Sequence, residues 1–162
     1  MKKFLQNLAL LLATGLGLGL SPVAPGTFGS LWGPALYLAG HPASPTLWFG
    51  AGALLILTAI VTSECAERVW GKKDDQRIVI DEVAGMWVTY SAAYLVAPYP
   101  AWLIFNTILG FVLFRFFDIV KWYPARLAQN KIAGGLGVVA DDLVAGVQAG
   151  LVLWVIATLM LS

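Results

Sequence analysis

Charge is missing from most of this chain. No Asp, Glu, Lys or Arg occurs at residues 4 to 63, 83 to 114 or 143 to 162, and the composition is 12% charged against 59% hydrophobic. Soluble domains carry about 25% charged residues, so this scarcity excludes an ordinary water-soluble globule. Cysteine is nearly absent too. Cys65 stands alone, which excludes an intrachain disulfide, and no arginine follows it at the spacing of a cysteine-phosphatase loop; it reads as a small buried apolar residue. There is no basic excess either: ten Lys and Arg against nine Asp and Glu give a net charge of +1, leaving no positive surface for nucleic acid. Heptads, solenoid periods and low-complexity tracts are also lacking, and residues 1–162 are expected to form a single domain.

What remains is apolar helix with charge between. A bilayer core of about 30 Å takes roughly 20 apolar residues per helical crossing. The sequence predicts an all-α, polytopic membrane bundle of about four long transmembrane helices: 46–68, 81–97, 101–121 and 139–161, with Pro98 and Pro100 bracketing a turn on the far side. All Lys and Arg lie at residues 2–3, 64–82 and 115–142, so the positive-inside rule turns these patches towards the cytoplasm. His41, Pro42 and Pro45 then fall on the outer side. The stretch Gly29 to Gly40 should rise to them as a short or partial helix, because at about 1.5 Å per residue it covers only roughly 18 Å. Residues 3–18 begin like a secretory signal but no small-x-small site closes the run; they are expected to form an interfacial or re-entrant helix, with 19–28 irregular. Trp70, Trp122 and Tyr123 suit an inner aromatic belt, and Tyr37, Trp48, Tyr94, Tyr99 and Trp102 an outer one.

The acids carry the chemical interest. Asp81 and Glu82 open the helix of the second charge-free run, and Asp141 and Asp142 are expected to open the last one. Carboxylates at helix starts are favoured by the dipole and by free backbone N–H groups, so capping is one reading. Four of them converging at one membrane face would repel unless a cation or shared protons compensated them. An oxygen-only donor set selects a hard ion such as Mg²⁺. Gly85 and Gly146, one turn beyond the acids, would let the two helices approach and bring the pairs together; generic membrane-helix glycine is the alternative. Arg115, Asp118 and Lys121 recur at three-residue spacing and share a face, either as an interfacial ion-pair ladder or as cations for a bound phosphate with Asp118 adding a ligand or orienting them. The segment Ser21-Pro22-Val23-Ala24-Pro25-Gly26-Thr27-Phe28-Gly29-Ser30 offers hydroxyls and backbone N–H groups to an anion, though any turn is built from such residues. Gly134, Gly135 and Gly137 read as a hinge.

The runs GLSPVAPGTFGS (19–30), IDEVAGMW (80–87), FRFFDIVK (114–121) and GGLGVVADDLVAG (134–146) together resemble the phosphatidylglycerophosphatase A family of bacterial membrane phosphatases. The resemblance implies a Mg²⁺-dependent, multi-pass enzyme of the inner membrane that faces the cytoplasm. Its phospholipid substrate would be phosphatidylglycerophosphate, hydrolysed to phosphatidylglycerol. By matching position, it implies Asp81, Glu82, Asp118, Lys121, Asp141 and Asp142 as catalytic residues, with Asp81, Glu82, Asp141 and Asp142 holding the metal. Ser21, Gly26, Thr27, Ser30, Arg115 and Lys121 would receive the substrate phosphate, with Pro25 in the same loop. Two departures stand out: Trp122 replaces a proline common after the matching lysine, and Ala133 replaces a histidine common before the double glycine.

The chemistry expected is metal-assisted hydrolysis with a carboxylate activating water, or attack by an Asp to form an aspartyl phosphate. The chain lacks the Asp-x-Asp start of haloacid-dehalogenase phosphatases and the Ser-Gly-His signature of type-2 lipid phosphatases. A small cation-binding transporter or channel is the alternative, since intramembrane acids also serve transport. Against it, the acids lie near helix ends and no inverted repeat of broken helices is present. A purely structural membrane subunit would leave the clustered acids unexplained.

Overall fold

The computed structural model describes residues 1–40, 43–96, 102–125 and 132–161, and all regular structure among them is helical. The elements run α1 Lys2–Ala13, a 3-10 turn Leu18–Leu20, α2 Pro25–Ser30, α3 Trp32–Gly40, α4 Pro45–Trp70, α5 Ile80–Val96, α6 Leu103–Val120 and, as the last helix, α7 Gly134–Leu161. Local chemistry sets several ends. Ser44 starts α4 by accepting the Leu47 N–H at 3.4 Å, with Pro45 in the first turn, and Gly71 closes it at φ 63°.

Three helices, α4, α6 and α7, are long and apolar enough to cross a membrane, one fewer than the sequence suggested. The difference is α5, with 17 described residues and two acids in its first turn. It is the central helix: Val83, Ala84, Met86, Tyr90 and Ala93 are all buried. A helix sheathed by protein needs less hydropathy than one facing lipid. The other corrections are at the ends. Residues 25–40 form two helices, α2 and α3, so the region expected to be irregular ends in helix. The expectations for His41, Pro42, Pro98, Tyr99 and Pro100 fall outside the described residues.

The bundle is organised around the contact of α5 with α7. A Cβ on Gly85 would stand 2.6 Å from the Asp142 carbonyl oxygen, and one on Gly146 would run into the Gly85 carbonyl. Only glycine lets the backbones meet here. The Thr89 hydroxyl is placed to donate to the carbonyls of both Gly85, at 3.1 Å, and Gly146, at 3.3 Å, joining the two helices at the same level. From the next residue of α5, the Tyr90 hydroxyl donates to the Thr107 carbonyl of α6 at 2.7 Å.

The aromatics expected to form an outer belt largely make a core instead. Tyr37 and Trp48 are buried; Tyr37 stacks on Tyr90 with centroids 4.5 Å apart, and Trp48 stacks on Trp87 at 4.1 Å and on Tyr94 at 5.1 Å. Stacked rings fill the space between α3, α4 and α5 as lipid-facing tryptophans would not. Trp122 and Tyr123, at 58% and 78% exposure, fit the boundary role. Between α4 and α5, Asp75 accepts two hydrogen bonds from the Arg77 guanidinium, at 2.8 and 3.0 Å, which hold its carboxyl down to about 2. Arg77 in turn lies 4.0 Å over the Trp70 ring.

Replacing Gly146 by Leu forces α5 and α7 apart at their closest point. The substitution is expected to cost at least about 1–3 kcal/mol, read as a lowered thermal midpoint in detergent. Gly50→Leu, at a position with nothing within 4 Å of a new Cβ, should leave the midpoint in place. Equal midpoints for the two variants would refute this account of the crossing.

Candidate active site

The α5–α7 crossing fixes where the acids stand. Asp81 and Glu82 occupy the first turn of α5, and the Asp81 carboxylate accepts the Glu82 backbone N–H at 3.0 Å. Asp141 and Asp142 do not open α7. That helix begins at Gly134, two turns earlier, because Glu64 of α4 supplies the missing cap: its carboxylate accepts the Gly135 N–H at 2.6 Å. By the position of the Asp pair the backbone N–H groups are already bonded within the helix, so capping is ruled out as the reason for these two residues. Asp141 and Asp142 are nevertheless buried, each 3% exposed, as is Asp81 at 6%.

The carboxylates share one neighbourhood. Asp142 lies within electrostatic range of Asp81, Glu82, Asp118 and Asp141. Two cations from the end of α6 interleave with them. Arg115 donates to Asp118 Oδ2 at 2.6 Å and approaches Glu82 Oε1 at 3.6 Å. Lys121, in left-handed backbone at the end of α6 (φ 46°), pairs with Asp141 and faces Asp142 and Asp118.

Helix α2 closes the site from the side. The guanidinium of Arg115 reaches Ser30 Oγ at 3.2 Å and Thr27 Oγ1 at 3.5 Å. Ser30 in turn donates to the Gly26 carbonyl at 2.8 Å. A Cβ on Gly26 would collide with the Glu82 carboxylate and lie 3.5 Å from Arg115 Nη1; one on Gly29 would stand 3.1 Å from Glu82 Oε2. The glycines of this segment are therefore what allow α2 to press against the acids. Of the residues expected at the site, Gly26, Thr27, Ser30, Asp81, Glu82, Arg115, Asp118, Lys121, Asp141 and Asp142 come together. Ser21 does not: its hydroxyl donates to the Val23 carbonyl at 2.8 Å within its own exposed turn.

Sequence reasoning missed Asp74. It interacts electrostatically with both Asp81 and Asp141, from a turn with φ 49° in which its N–H donates to Glu67 Oε1 at 2.7 Å. Embedded in Lys72-Lys73-Asp74-Asp75, it reads as part of a solvated charged patch. Glu64 was missed too, because a cap supplied from another helix leaves no local signature.

Whether these residues suit a metal can be judged from the donors. All are carboxylate oxygens, the chemistry of a hard cation, and Glu82 Oε2 is buried with no hydrogen-bond partner. Among the described residues no three His, Cys, Asp or Glu side chains are gathered tightly enough to hold an ion as they stand; Arg115 and Lys121 occupy the acids instead. The donor type fits Mg²⁺, and the exchange of Lys121 or Arg115 for an ion is the adjustment that binding would require.

The phosphatidylglycerophosphatase A family model matches residues 11–157, spanning every element of this site. The chain belongs to that family of phosphatases. It is 35% identical to the phosphatidylglycerophosphatase A of Escherichia coli over 151 residues, 90% of this chain and 81% of the relative. It is also 35% identical to the Haemophilus influenzae protein of the same name over 154 residues, 93% and 90% of the two chains. A Bacteroides thetaiotaomicron protein provisionally named a phosphatidylinositol-3-phosphatase is 37% identical over 158 residues, 92% of this chain and 96% of that one. No solved structure matches the chain.

Gly26→Ala puts a methyl group against the Glu82 carboxylate, the far end of a flexible side chain. Stability should change by less than about 1 kcal/mol, while phosphatase turnover should fall at least about tenfold as Glu82 is displaced. Unchanged turnover would show that the contact of α2 with Glu82 is not part of the working site.

Proposed function

We propose that this chain removes the terminal phosphate of phosphatidylglycerophosphate, giving phosphatidylglycerol and phosphate, with Mg²⁺ at a site facing the cytoplasm of a bacterial inner membrane. The observation that carries this reading is the convergence of five carboxylates with Arg115 and Lys121 beside the hydroxyls of α2, at one end of an apolar helix bundle. A phosphomonoester lipid presents its phosphate at the membrane surface, so its phosphatase needs cations there and apolar helices alongside. Membership of the family, and the names of the E. coli and H. influenzae relatives, select the substrate.

In this mechanism Asp81, Glu82, Asp141 and Asp142 would hold the metal, which when bound supplies positive charge to phosphate oxygens. Arg115 gives its paired N–H donors to the phosphate, an anion that matches its fork geometry better than a point cation does. Thr27 and Ser30 then offer their hydroxyls to the remaining oxygens. Lys121 adds charge stabilisation at the transition state. A carboxylate of the group, relieved of Lys121, takes the proton of the attacking water. Covalent capture of labelled phosphate on an Asp would replace this last step with nucleophilic attack.

Protein purified in detergent should release phosphate from phosphatidylglycerophosphate only with Mg²⁺, and faster than from phosphatidylinositol 3-phosphate. Release that survives exhaustive chelation would remove the metal; no release from any lipid monophosphate would remove the activity. Asp142→Asn keeps the side chain's size but loses the charge, so turnover should drop at least about 100-fold with the fold intact. The same is expected of Glu82→Gln, Asp141→Asn, Asp81→Asn and Asp118→Asn. Lys121→Ala should weaken phosphate handling and, by removing the cation that pairs with Asp141, lower rather than raise the Mg²⁺ concentration needed for half-maximal turnover.

Orientation has its own measurement. In a Cys65-free background, a cysteine replacing Lys72 should resist an impermeant thiol reagent in intact cells, and one replacing Ala43 should react. Labelling at 72 but not at 43 would place the site on the opposite face.

A further inference from the structure

Resting on the reading of the chain as a lipid phosphatase, we propose that the groove between the end of α1, the start of α3 and the faces of α4 and α5 seats an acyl chain of the substrate. The groove, about 260 Å³, is lined by Leu12, Leu16, Trp32, Leu36, Leu55 and Ile80, among others. Its lining holds no charged side chain. Other surface grooves among the described residues differ: the one beside α7 carries Glu64 and Arg68, and the one along the latter half of α1 and the turn after it carries Asn7 and Arg77. A second apolar groove, at Phe49, Gly52 and Trp87, meets α5 at its middle, more than a turn beyond the acids.

What distinguishes the chosen groove is its continuity with the acids. Val79 is the wall between them. On one side, a Cβ at Gly15, in the groove lining, would lie 2.9 Å from Val79 Cγ2. On the other, a Cβ at Gly29 would lie 2.7 Å from Val79 Cγ2 and 3.1 Å from Glu82 Oε2. The groove is thus one valine side chain away from the carboxylate next to Arg115. Trp32 holds its shape by donating from the indole N–H to the Gly15 carbonyl at 2.9 Å, and the Val79 N–H donates to the Ala13 carbonyl at 2.9 Å. Leu16, 56% exposed on the rim, leaves the groove open to its surroundings. A lipid whose phosphate lies at Arg115 has to lead its chains away into hydrocarbon, and each methylene removed from water or polar surroundings favours that path.

Leu36→Trp fills the groove without touching the acids. With phosphatidylglycerophosphate in mixed micelles at fixed surface fraction, it should raise KM for the dihexadecanoyl lipid at least about tenfold. With the dihexanoyl analogue kcat/KM should stay within about twofold. Leu54→Trp, at a 66% exposed position outside the groove, should alter neither. Equal effects of Leu36→Trp on both lipids, or none on the long one, overturns the proposal. A second readout does not depend on turnover: phosphatidylglycerophosphate carrying a mid-chain diazirine should crosslink to peptides containing Leu12–Leu16 and Leu36, and Leu36→Trp should abolish this. Crosslinks spread evenly over exposed faces such as Ile108 and Val112, or capture of a second copy of the chain at the groove, also overturns it. Selective crosslinking without phosphate release keeps the groove and removes the phosphatase reading; release without selective crosslinking does the reverse.

Discussion

Carboxylates buried among apolar helices cost several kcal/mol each unless their charge is answered, and the rest of this structure follows from how it answers five of them. Arg115 sits between Glu82 and Asp118, and Lys121 against Asp141. Both cations come from the last two turns of α6, so that helix has to end at this level, and it does so in a left-handed cap at the lysine itself. Without the close crossing at Gly85 and Gly146 the acids of α5 and α7 would be too far apart to share two cations. Packing and electrostatics therefore specify the same geometry.

The arrangement also explains why α2 is present at all. A helix of six residues has little stability of its own. It is held because Arg115 reaches its two hydroxyls and because Gly26 and Gly29 admit Glu82 to its surface. The same contacts place hydroxyl groups next to a guanidinium whose present partners are carboxylates. An incoming phosphate exchanges one set of anionic oxygens for another at Arg115, so the guanidinium is never stripped of partners, and the cost of desolvating it is met before substrate arrives.

Much of this was legible in the sequence because charge is so scarce. Where a long charge-free run follows, as at residues 83–114 and 143–162, a paired acid has few structural excuses, and Asp81, Glu82, Asp141 and Asp142 stood out for that reason. Gly85 and Gly146 were legible through their fixed offset of four from Asp81 and Asp142. What was hidden depended on neighbours from elsewhere in the chain. The start of α7 read as a flexible hinge because glycine disfavours helix, and only the third dimension brings Glu64 to cap it. Asp74 was masked by two adjacent lysines. Tyr37 and Trp48 carry the residue types of an interfacial belt, but whether a ring faces lipid or another ring is decided by packing. The fourth crossing was overestimated in hydropathy terms since α5 is wrapped by protein.

Helix α7 has 28 residues, about 42 Å when straight, against a hydrocarbon core of about 30 Å. If its far end lies at one boundary of the core, the excess of about 12 Å projects past the other, close to the roughly 10.5 Å spanned by the seven residues preceding Asp141. On that placement the helix would act as a ruler, its own span setting the depth of the carboxylates near the seam between acyl chains and head groups. A thicker or thinner bilayer would slide that mark relative to the lipid phosphates, or make the helix tilt to keep it. The thickness of the surrounding membrane would then enter the geometry in which the site meets its substrate.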